Sequence, residues 1–133
     1  MIEMNTTLKH LSIDVINTFN SHDYRIASIK AKELLNYCTD IERRYHISAD
    51  IAHLLCLSGD YKNARPLLKS LIDESENSTY VDGYVTEKLY LAYACCLYNE
   101  NDYIRFFYFI NKYLELAKES HPEAYATIKR LLE

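Results

Sequence analysis

Glycine and proline are nearly missing from this chain, with two of each in 133 residues. Sandwiches, barrels and doubly wound sheets need many tight turns, and glycine and proline are the residues that make them. The shortage leaves an all-α fold as the expectation, and it removes the glycine-rich loops that cradle phosphates in nucleotide-binding proteins. Basic runs are also scarce. The densest is Arg43-Arg44 with nearby His46, in a chain of formal net charge −4. Duplex DNA and anionic membranes both reward a cationic footprint, so neither is an expected partner and acidity points to proteins instead. No window approaches the ~18 apolar residues of a membrane span. The opening MIEMNTTLKH has neither a basic start nor a continuous apolar core of the secretory kind, so a cytoplasmic setting is expected. Four cysteines, at 38, 56, 95 and 96, include no C-x-x-C pair and read as small buried thiols rather than a disulfide or zinc framework.

What the chain does contain is an internal repeat. Asp-Tyr followed by a small or apolar residue three positions later occurs as Asp23-Tyr24 with Ala27, Asp60-Tyr61 with Ala64, and Asp102-Tyr103 with Phe106. The tyrosines are 37 and 42 residues apart, spacings typical of helical repeat arrays. Each copy sits between two apolar helical stretches, with Asp placed to cap the second. The pattern predicts helix pairs over about 7–38, 41–74 and 85–118, within a single domain spanning 1–133. Gly59 is a stop signal after the first helix of the second pair. Pro66 falls inside the next helix, where a kink or a late start is expected. The polar stretch Ser75 to Gly83 is the longest expected loop. Ser120-His121-Pro122-Glu123 starts a short closing helix over about 122–132, as a stacked array needs a capped end.

The best copy, Leu54-Leu55-Cys56-Leu57-Ser58-Gly59-Asp60-Tyr61-Lys62-Asn63-Ala64, resembles the tetratricopeptide repeat, with its Gly-Asp-Tyr turn and an alanine three residues on. The third copy, Tyr90 to Tyr98 and then Asn101-Asp102-Tyr103, is similar up to the turn. The resemblance implies three helix-turn-helix units and a capping helix wound as a right-handed α-solenoid. Among proteins built on such repeats, the leucine- and cysteine-rich helices are similar to those of the scaffold subunits of the anaphase-promoting ubiquitin ligase. Small type III secretion chaperones and the cytosolic domain of the mitochondrial fission adaptor have a similar size.

That resemblance implies a concave groove lined by the first helix of each unit. Carried over to this sequence, the inward rows are Lys9, Ser12, Ile16 and Phe19; His46, Ala49, His53 and Cys56; and Lys88, Leu91, Cys95 and Tyr98. Mixed apolar and polar rows suit an extended or helical peptide. A second candidate is aromatic: Phe106-Phe107-Tyr108-Phe109 run consecutively. If Tyr103, Phe106, Phe107, Ile110, Tyr113 and Leu114 face the core, Tyr108 and Phe109 lie off that stripe, covered by the closing helix or offered to a partner. The expected function is a non-enzymatic protein-interaction module, a scaffold or adaptor that forms a homodimer or joins a larger complex, with no cofactor and no bound metal. One alternative is a chaperone holding a partner segment. Another is a small metal- or thiol-dependent enzyme using His46, Asp50, His53 and Cys56, which recur at four- and three-residue steps along one helix.

Overall fold

A computed structural model describes residues 2–77 and 83–133. Those residues are all-helical. Seven helices follow one another as α1 (Ile2–Asn20), α2 (Tyr24–Leu35), α3 (Ile41–Leu57), α4 (Tyr61–Glu76), α5 (Gly83–Asn99), α6 (Tyr103–Ser120) and α7 (Pro122–Leu132). Among the described residues there is no strand. Most of the expected loop from Ser75 to Gly83, residues 78–82, lies outside the described residues. The chain divides into two compact units that meet within α4, one ending at Leu71 and the other beginning at Ile72.

The three Asp-Tyr copies form three turns of one design. The residue before each aspartate, His22, Gly59 or Asn101, takes a left-handed conformation with φ of 61°, 83° and 62°. That reversal lets the aspartate N–H reach back to a carbonyl of the previous helix: Asp23 to Thr18 at 2.8 Å, Asp60 to Leu55 at 2.8 Å and Asp102 to Leu97 at 2.9 Å. Otherwise unpaired carbonyls at the helix end are thereby satisfied. The same aspartate then opens the next helix. Its carboxylate accepts from the N–H three residues on, at 3.4 Å from Ile26, 3.4 Å from Asn63 and 3.3 Å from Arg105. In the second turn the Asn63 side-chain amide also donates to Asp60 at 2.8 Å, and this holds the Asp60 carboxyl below its ordinary value.

In the first unit α1 packs on α2 and α2 on α3. Ala27, Ser28 and Ala31 give α2 a narrow buried face, which lets neighbouring helices approach closely. Tyr45 of α3 is buried, and its hydroxyl donates to the Leu71 carbonyl of α4 at 2.8 Å, satisfying a polar group that burial would otherwise penalise. Ile51, Leu54 and Leu55 of α3 and Ala64, Leu68 and Leu71 of α4 complete this core. The second helix of the first pair ends at Leu35 rather than at Cys38. Arg44 of α3 explains the early stop, because its Nη1 donates to the carbonyls of Leu35 at 2.6 Å and Cys38 at 2.8 Å. A cation at a helix C-terminus is favourable both as a donor and against the helix dipole. α4 begins at Tyr61, directly after the capping aspartate, so Pro66 does not delay its start.

In the second unit α5 packs on α6, and α6 on α7. The core is Leu89, Tyr90, Tyr93, Ala94, Cys96 and Leu97 of α5 against Ile110, Tyr113, Leu114 and Ala117 of α6, with Ile72 and Ser75 from the end of α4. The thiols divide: Cys38 and Cys96 are buried, Cys56 is half-buried and Cys95 is exposed, so the expectation of four buried thiols fails at Cys95. Cys96 shares the buried face of α5 with Leu89, Tyr93 and Leu97, while Cys95, about 100° around the helix from it, falls on the exposed side.

The left-handed turn gives a direct test. A Cβ at position 59 would meet no atom within 4 Å, so Gly59→Ala should act through backbone conformation alone. We expect a loss of about 1–2 kcal/mol of unfolding free energy in a urea titration.

Candidate interaction surfaces

The residues that the repeat pattern assigns to a groove are exposed or half-buried. On α1, Lys9, Ile16 and Phe19 are exposed and Ser12 is half-buried. On α3, His46, Ala49 and Cys56 are half-buried and His53 is exposed. On α5, Lys88, Cys95 and Tyr98 are exposed and Leu91 is half-buried. Lys9 and Ser12 come together with Leu34, Cys38, Arg43 and Ile47 around a cavity of about 300 Å³ within the first unit. The His46 to Cys56 face does not gather a donor set. Among the described residues no three His, Cys, Asp or Glu side chains converge as metal ligands.

The aromatic run of α6 is sorted differently from the sequence expectation. Phe109 does not lie off the core stripe. It is half-buried against α5, with its ring 4.7 Å from that of Tyr93 in an edge-to-face contact and 6.1 Å from that of Tyr90. The cover comes from α5 and not from the closing helix. Tyr103 and Phe107, expected in the core, are instead about half exposed. Helical spacing from the buried positions Ile110, Tyr113, Leu114 and Ala117 reaches Phe107 as readily as Phe109, so the inward setting of Phe109 comes from its ring contacts with Tyr90 and Tyr93 of α5.

The outward side of this hairpin carries the aromatic surface. Tyr98, in the last turn of α5, has its ring 5.6 Å from that of Tyr103 and 5.3 Å from that of Phe106, which in turn lies 5.2 Å from Phe107. Ile104, 87% exposed, and Tyr108, 56% exposed, extend the patch along α6. Rings held at 5–6 Å in edge contacts have little rotamer freedom left to lose. Position 106 explains why the patch forms here. Its counterparts Ala27 and Ala64 are fully buried, whereas Phe106 is too large for that seat and packs towards Tyr98.

Two polar clusters of the second unit have no counterpart in the sequence motifs. Lys112 donates to Glu76 at 2.9 Å, and Tyr90 donates to the same carboxylate oxygen at 2.9 Å. The Lys112 ammonium also lies over Tyr108 at 5.0 Å, Tyr90 at 5.4 Å and Phe109 at 5.9 Å, so three rings and one carboxylate surround it. The hydrogen bond from Lys112 lowers the Glu76 pKa, and the one to Glu76 raises that of Lys112. Burial, reinforced by the Glu76 carboxylate, pushes the Tyr90 hydroxyl up to about 12.

The second cluster is at the junction of α6 and α7. Glu87, only 3% exposed, has Oε2 2.7 Å from Ser120 Oγ and Oε1 2.8 Å from His121 Nδ1. Serine, histidine and a buried carboxylate suggest hydrolytic chemistry, but the geometry is that of a joint. Both the carboxylate and the serine approach Nδ1, the serine at 3.2 Å, and the serine hydroxyl bonds the carboxylate directly. A nucleophile activated by histidine needs the imidazole between the other two groups. Sequence held one clue to Glu87: it occupies the stripe of Tyr90, Ala94 and Leu97 at helical steps, where a carboxylate needs partners.

Comparison with family models, curated proteins and solved structures returned no match. No helix among the described residues is long and apolar enough to cross a membrane.

Two measurements check this assignment. Phe109→Ala should lower unfolding free energy by roughly 2–3 kcal/mol, whereas Leu116→Ala, on the exposed side of α6, should cost under ~1 kcal/mol. In an alkaline titration followed by tyrosinate absorbance, Tyr90 should ionise near 12, and Tyr90→Phe should remove that late step. Because this raised pKa favours the protonated folded state, its stabilisation is complete below the ordinary tyrosine pKa near 10 and is lost as pH rises to about 12.

Proposed function

We propose that the chain is a non-enzymatic protein-protein interaction module, a scaffold or adaptor of the cytoplasm whose helical hairpins stack in the right-handed manner of tetratricopeptide repeats. Three turns of one design, each closed and reopened by an aspartate, support the repeat reading. The reading of function rests chiefly on the patch of Tyr98, Tyr103, Ile104, Phe107 and Tyr108. Such a run of large side chains keeps apolar surface in water, a cost that a covering partner removes. Aromatic rings also dominate the energetics of interface centres. Here they are braced by one another and by Lys112, so little ordering entropy remains to oppose association.

Ile104 offers the sharpest test, since among the described residues it is the most exposed large apolar side chain and its replacement disturbs no core contact. Affinity purification of the tagged chain from its own cells should recover a stoichiometric partner. Ile104→Glu should lose most of it, with the thermal midpoint within ~2 °C of the parent. Retention of the same partner by both proteins would remove the aromatic patch from the proposal.

A further inference from the structure

The first unit contains a cavity whose chemistry is unlike that of the aromatic patch. Leu34 and Cys38 from α2 and the bend after it, with Ile47 of α3, form an apolar floor, and Lys9 and Ser12 of α1 and Arg43 of α3 complete the lining. Its volume of about 300 Å³ is at the small end of ligand sites, enough for an aliphatic side chain but not for a dinucleotide or haem. Both basic side chains are exposed, and among the described residues neither makes a hydrogen bond or ion pair. Their neighbour Arg44 differs, being committed to the carbonyls of Leu35 and Cys38. Among the described residues no acidic side chain lines the cavity. In a chain of net charge −4, a concave apolar seat flanked by two exposed cations runs against the overall charge.

We propose that this cavity binds an acidic segment of a partner protein, seating one aliphatic side chain on Leu34, Cys38 and Ile47 while neighbouring carboxylates reach Lys9 and Arg43. Charge complementarity selects the occupant. A basic segment would meet two like charges, and a neutral apolar one would leave both cations unmatched beside a desolvated ligand. A polyanion such as nucleic acid would gain only two contacts while meeting the repulsion of the chain's net negative charge. This inference rests on the interaction-module reading and adds to it the chemistry of one bound partner.

The experiment uses the whole chain and a fluorescein-labelled peptide of alternating glutamate and leucine, with a matched peptide in which every glutamate is glutamine. Fluorescence anisotropy should show saturable binding of the acidic peptide, weakened by salt, and binding of the glutamine peptide at least about tenfold weaker. The double variant Lys9→Glu/Arg43→Glu should lose at least about tenfold in affinity for the acidic peptide with its helical circular dichroism unchanged. Should that variant misfold, Lys9→Gln/Arg43→Gln removes the same charges without adding new ones and should show the same loss. Equal binding of the two peptides, binding indifferent to either double variant, or no saturation by about 1 mM acidic peptide would each overturn the proposal. Purification with the Ile104→Glu control separates the two ideas. A partner lost with Ile104 while the acidic peptide fails leaves the module reading standing and removes only this site.

Discussion

Each helical hairpin depends on one aspartate that serves two helices at once. Its N–H ends one and its carboxylate begins the next, so the chain reverses with no spare residue in which the two axes could drift. The arrangement demands a left-handed residue just before it, and glycine, asparagine and histidine fill that place in the three turns. Asparagine tolerates this conformation through local hydrogen bonding, while histidine at position 22 is the costlier choice. Its ring lies 5.8 Å from that of Tyr24, a contact that helps to offset the strain. With the reversals fixed, the paired helices lie side by side, and the packing between them selects which faces are buried.

The third hairpin departs from the other two, and the candidate surface comes from that departure. Where Ala27 and Ala64 vanish beneath the preceding helix, Phe106 cannot, and the rings of Tyr98, Tyr103 and Phe107 collect around it. Phe109, three residues later, completes the inner contact against Tyr90 and Tyr93. One side of α6 therefore supplies the core and the other the patch, and Lys112 bonds Glu76 while its ammonium touches rings on both.

Helix order and most helix ends were legible in the sequence, because Asp-Tyr spacing and the scarcity of glycine and proline are local signals. The early end of α2 was not, since it depends on Arg44, nine residues beyond Leu35 along the chain. Rotation about the α6 axis was also hidden: four consecutive aromatic residues satisfy several helical stripes equally well, and only packing on α5 puts Phe109 inside and Phe107 outside. For the candidate sites the repeat pattern did not show which residues of the first unit enclose a cavity. The cavity needs Leu34, Cys38 and Arg43, which belong to no inward row of the repeat. The helical stripe marked Glu87 as buried but not its partners, because Ser120 and His121 lie more than thirty positions away.

The closing helix shows how differently an element can be attached. No residue of α7 is buried, and Leu131 is 79% exposed, yet its first turn is held by His121 and the preceding Ser120 on the carboxylate of Glu87. A helix tethered by polar contacts and little apolar burial exposes little new hydrocarbon when it lets go. Its release therefore carries a small heat-capacity change and a shallow denaturant slope, well below those of global unfolding. α7 can open as a separate local step while the core of α5 and α6 stays closed.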